Sequence, residues 1–189
     1  AMVVSCILLG RVFGGVLGGF IGDGCARRSP AYGRPMTAVA SVLMGIPFTT
    51  LLVLSAPALP ALRLVAIALL LGLCASWCAS GVNKPILSEV VEPSSRASVM
   101  AWMTVMEGSS AAFFGAPVVG LLAEGVFGYR RPAALPSAGE DAGTPWVADV
   151  TPEDNARALR RAMLCGTVPP WIACALLYTL LFRTYIRDA

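Results

Sequence analysis

Five apolar stretches of membrane-spanning length alternate with shorter polar segments along this chain. A transmembrane helix needs about 20 mostly apolar residues. The pattern therefore predicts an all-α integral membrane protein, a helical bundle of about five transmembrane helices. The predicted spans are residues 2–22, 35–55, 61–82, 95–124 and 162–182.

The connections between these spans differ in length. Short turns join the first three spans, so neighbouring helices are expected to run antiparallel. Residues 125–156 form a long connection, and we expect its middle, Pro132–Thr144, to be mobile and exposed. Helix should resume after Thr151, an N-cap residue followed by proline and two acids.

The first span carries a regular stripe of glycine. Four glycines recur at every fourth position, and residues four apart share one face of a helix. Such a face lets a second helix backbone come close in a bilayer. We therefore predict helix packing through Gly10, Gly14, Gly18 and Gly22.

Composition agrees with a membrane protein and excludes several other classes. The 189-residue chain is 57% hydrophobic and 13% charged, with no histidine and a net charge of +3, whereas soluble domains carry about 25% charged residues. The basic residues form no patch interleaved with aromatic residues, so no nucleic-acid partner is expected. Cysteines in apolar spans favour packing over disulfides or metal binding. We expect no metal, no cofactor and no enzymatic activity, since no catalytic cluster is present.

Only two charges lie deep within predicted spans, Arg11 in the first and Glu107 in the fourth. A charge at mid-bilayer costs roughly 2.5–3.5 kcal/mol, so it is normally paired or faces water. Arg11 has three interpretations: binding an anionic solute, pairing with Glu107, or reaching a nearby boundary. Glu107 either carries a proton or is a structural partner of Arg11. The second and fifth spans have no central charge and are expected to face lipid.

A charged hairpin follows the first span. Gly19 and Asp23 form a G-x-x-x-D spacing, and basic residues follow across a short turn. Lys and Arg are slightly denser on this side of the membrane, so the positive-inside rule favours a cytoplasmic hairpin 23–34 and a cytoplasmic C-terminus. The residues of this signature are Gly19, Asp23, Arg27, Arg28, Gly33 and Arg34.

These motifs resemble the major facilitator superfamily. The hairpin signature is similar to that superfamily's loop between its second and third, or eighth and ninth, spans. The stretches NKPILSEVVEPSSR, APVVGLLAEGVFGY and LLFRTYIRD resemble a plant and algal branch of twelve-span transporters related to the Spinster-like group. That branch has an N-x-P-I-x-x-E-x-V connection with an arginine at the head of the next span. The matching residues here are Asn83, Pro85, Ile86, Glu89, Val91 and Arg96.

The chain departs from this branch at two places. The branch tends to carry an Asp-Arg pair shortly before the intramembrane glutamate, where this chain has Met103 and Thr104. Glu92 replaces a valine before Pro93.

The resemblance implies that these are spans eight to twelve, with spans eight, ten and eleven around a central cavity. It implies a secondary active transporter of a small organic solute or a lipid-like molecule, possible proton coupling, and a missing N-terminal half as partner.

Candidate solute or proton contacts are Arg11, Asn83 and Glu107. Asp23 is expected to act as a cytoplasmic latch held by Arg27 or Arg28, by Arg96, or by a helix N-terminus; a solvated turn is the other interpretation. The alternative function is a truncated, non-transporting membrane module that packs against partner helices through its glycine face.

Overall fold

The structure is a computed structural model that describes residues 2–56, 58–130 and 151–188, with side chains as far as Arg183. All regular secondary structure in these ranges is helical. Five helical spans are long and apolar enough to cross a membrane, which supports a multi-pass membrane protein. The segment predicted to be mobile, Pro132–Thr144, lies outside the described residues.

The first two helices contain the first two predicted spans. Helix α1 covers Met2–Arg28 and extends into the charged hairpin. Helix α2 covers Gly33–Ser55 and contains Pro47.

The third span is longer than predicted. Helix α3 covers Ala61–Ala75, a π-helical segment π1 follows at Ala79–Asn83, and α4 covers Lys84–Val90. Helix continues past residue 82, the predicted end of this span, through the Asn83-Lys84-Pro85 sequence. Proline is tolerated in the first turn of a helix, where its missing N–H has no partner to lose.

The fourth span is helical but irregular. Helix α5 covers Arg96–Ser110, π2 covers Ala111–Gly115, α6 covers Ala116–Leu121 and π3 covers Leu122–Val126. Gly115-Ala116-Pro117 therefore coincides with a change from π-helix to α-helix.

The fifth span belongs to one long helix, α7, which covers Pro152–Asp188 and contains Pro169 and Pro170. Thr151 caps its first turn as predicted, since the Asp154 amide donates to the Thr151 hydroxyl at 3.2 Å and this hydroxyl donates to the Asp154 carboxylate at 2.8 Å. The first of these bonds satisfies one of the backbone donors that a helix start leaves free, and the second orients the capping hydroxyl.

The chain divides into two compact units. The first contains the described residues up to Ser109 and those from Thr167 onward, and the second contains those from Ser110 to Gly166. Within the second unit, the Asn155 side chain accepts a hydrogen bond from the Arg130 amide and donates one to the Arg130 carbonyl. These bonds connect the segment after π3 to the first turn of α7.

The core of the first unit is the contact of α1 with the third span. All four glycines of the stripe are buried, and their nearest partners are mainly backbone atoms of the third span, in α3, in π1 and at Trp77 between them. A Cβ at Gly18 would lie 2.5 Å from the Cα of Trp77, and one at Gly10 would lie 3.1 Å from the Cα of Gly72. The glycine face thus packs against a helix of the same chain.

Helix α7 joins the first unit through longer side chains. The Trp171 ring covers Gly45 of α2, and the Phe182 ring stacks on Tyr32 with centroids 5.9 Å apart. Tyr178 lies between them in the sequence and donates a hydrogen bond to Asn83. These three aromatic residues share one helix face. One face of the fifth span, which is expected to face lipid, therefore packs against the first unit through these rings.

We expect Gly18→Ala to destabilise the protein and Gly19→Ala to leave its stability unchanged or slightly raised. The added methyl group at Gly18 would collide with the Trp77 backbone, and overpacking typically costs about 1–3 kcal/mol. At Gly19 nothing lies within 4 Å of the new atom, and alanine favours helix over glycine by about 1 kcal/mol. Unfolding in detergent, followed by circular dichroism, compares the two variants. Equal stability would contradict the glycine-mediated contact.

Candidate functional site

Arg34 is the central side chain of the candidate site. Its Nη2 donates to the Glu89 carboxylate at 2.8 Å, and its Nη1 lies 3.3 Å from the Asp23 carboxylate. Nη1 also approaches the Gly81 carbonyl oxygen at 3.4 Å. Only 11% of the Arg34 side chain is exposed. One guanidinium therefore connects α1, α2, π1 and α4 at one end of the bundle.

The tight turn between α1 and α2 positions Arg34. The Ser29 amide donates to the Cys25 carbonyl at 2.9 Å, and the Gly33 amide donates to the Ser29 carbonyl at 2.7 Å. A Cβ at Gly33 would lie 2.5 Å from the Ala26 nitrogen. Glycine therefore lets α2 begin directly against the end of α1, which brings the next residue, Arg34, to the Asp23 carboxylate.

The expected partners of Asp23 have other positions. Arg27 and Arg28 are exposed and form no ion pair among the described residues. Arg96 donates from Nε to the Val91 carbonyl at 3.1 Å and thereby closes the connection between α4 and α5. Arg27, Arg28 and Arg96 therefore do not hold Asp23. Its ion-pair partner is Arg34.

Glu89 is not among the site residues predicted from the sequence. The family resemblance includes it only as part of a connecting loop, whereas the structure places it on α4, six residues after Asn83. The available signal was Pro85, which is compatible with a helix start and therefore with a helix that carries Glu89 to the charged end.

The Asn83 side chain forms a hydrogen bond between two helices. Its side-chain oxygen accepts a hydrogen bond from the Tyr178 hydroxyl at 2.8 Å, in a partly buried position. Tyr178 was also missed, because a single tyrosine in an apolar span is indistinguishable by sequence from a packing residue. Asn83 thus connects the third span to the fifth.

Arg11 and Glu107 are not brought together as an ion pair. Both side chains are exposed, and neither has a partner among the described residues. The remaining signature residue, Gly19, has nothing within 4 Å of a hypothetical Cβ. The candidate residues therefore fall into a connected set around Arg34, an interhelical bond at Asn83, and two separate exposed charges.

We expect Arg34→Gln to destabilise the folded protein more than Arg28→Gln does. The first substitution removes the cation between Asp23 and Glu89, whereas Arg28 is exposed and has no ion-pair partner among the described residues. Exposed pairs contribute about 0.2–1 kcal/mol each, and the Arg34 side chain is only 11% exposed, so the expected difference is at least of that order. Arg34→Lys should restore only part of it, since lysine lacks the planar fork. The measurement is chemical unfolding in detergent, and equal midpoints for the two glutamine variants would contradict the central position of Arg34.

Tyr178→Phe should lower stability by about 0.5–1.5 kcal/mol, the usual contribution of one hydrogen bond. The hydroxyl that donates to Asn83 is removed while the ring that packs between the helices is kept. Tyr32→Phe is the matched control, because Tyr32 contributes a ring stacked on Phe182. The same unfolding assay compares the two variants, and a Tyr178→Phe variant as stable as the control would exclude an energetic role for this bond.

No family model, curated protein or solved structure matches this chain.

Proposed function

We propose that this chain is part of a secondary active transporter that works by alternating access. The observation that carries the proposal is the pair of exposed charges, Arg11 and Glu107, on membrane-spanning helices that are otherwise apolar. Because a charge in the bilayer interior is stable only beside water or a counter-charge, residues of this kind mark solute or ion pathways.

The two charges lie at similar depth. Residue 11 precedes Asp23 by 12 positions, and residue 107 follows Arg96 by 11 positions. At about 1.5 Å per residue, these separations are about 18 Å and 16 Å. The end of α1 and the start of α5 belong to the same membrane side in the predicted topology. Both charges are then near the bilayer midplane, where transporters of this type bind their solute.

The Arg34 ion pairs supply the second element, a gate at the cytoplasmic end. They join α1, α2 and α4 through partly exposed groups. Partly exposed ion pairs are weak enough to break and form again when helices move. In this proposal Asp23 and Glu89 hold one conformation through Arg34, and separation of these groups accompanies the other conformation.

The proposal includes a second helical bundle as a partner. Resemblance to the major facilitator superfamily suggests that this bundle is an N-terminal half of the same transporter, with a cavity between the halves. The solute class is a small organic molecule or a lipid-like molecule, and Glu107 is the candidate proton carrier. We favour transport over a non-transporting module because the glycine face, which such a module would offer to partners, packs against α3 and π1 of the same chain.

The test is uptake into vesicles by the complete gene product, including any spans encoded before Ala1. Accumulation of one class among lipids, sugars and organic anions, driven by a pH gradient, is the expected result. Glu107→Gln should abolish the dependence on the pH gradient, because glutamine cannot carry a proton. Glu92→Gln is the matched control, since Glu92 is an exposed carboxylate in the short connection after α4.

The outcomes separate the parts of this proposal. Uptake without any effect of Glu107→Gln would remove the proton role and leave transport. No uptake of any class by folded protein would overturn the transporter and favour the non-transporting module.

A further inference from the structure

We infer that π1, Ala79–Asn83, is a conformational switch that couples the Arg34 ion pairs to the Asn83–Tyr178 hydrogen bond. Its use in transport rests on the proposed function, whereas the coupling is a property of the bundle. The switch is a change of π1 between π-helix and α-helix.

Residues of π1 contact three other helices. The Ser80 hydroxyl donates to the Gly15 carbonyl of α1 at 2.7 Å. The Gly81 carbonyl lies 3.4 Å from Arg34 Nη1 of α2, and Asn83 accepts the hydrogen bond from Tyr178 of α7. A single five-residue segment thus contacts the ion-pair group and the helix that carries Tyr178.

The geometry of a π-helix makes this segment a natural point of change. A π turn is closed by i→i+5 hydrogen bonds and accommodates one more residue than an α turn. When such a segment becomes α-helical, the helix after it advances by about 1.5 Å and turns by about 100°. The part of the helix before it keeps its place.

The two sides of π1 are held very differently. Upstream, α3 is fixed because Gly72 and the glycine stripe of α1 bring the two backbones together. Downstream, α4 has no buried residue. The connection between α4 and α5 contains only residues 91–95 and is closed by the Arg96 bond to Val91. A rotation of α4 therefore moves no buried residue of α4, and the buried Gly81 and Val82 of π1 mark where the fixed part ends.

Rotation of α4 changes both contacts at once. Glu89 lies on α4 and would turn away from Arg34, whereas Asn83 is the last residue of π1 and would turn away from Tyr178. The ion pair and the hydrogen bond are thus made in the same helical register. Loss of either one should favour loss of the other, because coupling through a shared two-state element is reciprocal.

The experiment labels the purified chain with 3-fluorotyrosine in lipid nanodiscs and records ¹⁹F NMR spectra. The Tyr178 resonance is identified by its loss in Tyr178→Phe. Glu89→Gln should produce a second Tyr178 resonance that is absent from the unsubstituted chain. Glu92→Gln removes the same charge from an exposed position beyond α4 and should leave the Tyr178 resonance unchanged.

Deletion of Ala79 separates the switch from a direct effect of charge. Ala79 is exposed, and removal of one residue from π1 gives a continuous α-helix in which both flanking segments keep their register. In this deletion chain both contacts remain, but the alternative register is lost. Glu89→Gln should then leave the Tyr178 resonance unmoved, and an equal response with and without Ala79 would overturn the inference.

A second measurement covers the case in which the deletion chain does not fold. In the undeleted chain, Glu89→Gln and Tyr178→Phe are combined, and the unfolding midpoint is compared with those of the single variants. The combined shift should be clearly smaller than the sum of the single shifts. Strict additivity, which is usual for distant independent sites, would overturn the coupling. Neither measurement uses transport, so an absence of uptake would count against the proposed function and not against the switch.

Discussion

The close backbone contact between α1 and the third span is the constraint on which the rest of the first unit depends. It requires the absence of side chains at four positions of α1, and the structure meets this requirement with Gly10, Gly14, Gly18 and Gly22. In water these glycines would weaken a helix by about 1 kcal/mol each. In a bilayer the backbone has no water to bond with, so the helix is retained and the bare face becomes a packing surface. The contact continues from α3 into π1, since Gly22 and Gly18 meet Gly81. The Gly81 carbonyl therefore comes within reach of Arg34, which the adjacent turn places at the end of α1.

The two attachments of the third span differ in their expected rigidity. Two backbones in contact through glycine cannot move relative to each other without a steric clash, because dense packing leaves no free space between them. Helix α7 is attached instead through the rings of Trp171, Tyr178 and Phe182, which keep its backbone at a distance. Side chains of this length can follow a small displacement by rotation about their own bonds. The first unit thus combines a fixed pair of helices, α1 and α3, with α7, which is held through longer side chains. π1 contacts both α1 and α7.

Features set by local chemistry were predictable from the sequence, and features set by distant contacts were not. The helix start at Thr151 follows from a hydroxyl, a proline and an acid in adjacent positions, and the structure contains the corresponding hydrogen bonds. The existence of five apolar spans follows from their length and composition. By contrast, the pairing of Arg34 with Glu89 joins residues that are 55 positions apart, and it depends on helix continuing through Pro85. The sequence offered several basic residues near Asp23, and only the turn geometry at Gly33 distinguishes Arg34 from Arg27 and Arg28.

The charges of this chain belong to two energetic classes, and the difference supports separate roles for them. Asp23 and Glu89 share one largely buried cation at the end of the bundle, and both carboxylates are partly exposed to water that screens each pair. Such pairs can be broken by motions that involve little energy, as the proposed gate requires. Arg11 and Glu107 lie within apolar helices, where an uncompensated charge costs roughly 2.5–3.5 kcal/mol. Together these two would add about twice that amount, which is comparable to a large part of the 5–15 kcal/mol that stabilises a typical domain. A bundle that keeps both charges in a bilayer must therefore offer them water, a solute or a counter-charge, as the solute pathway proposed above would.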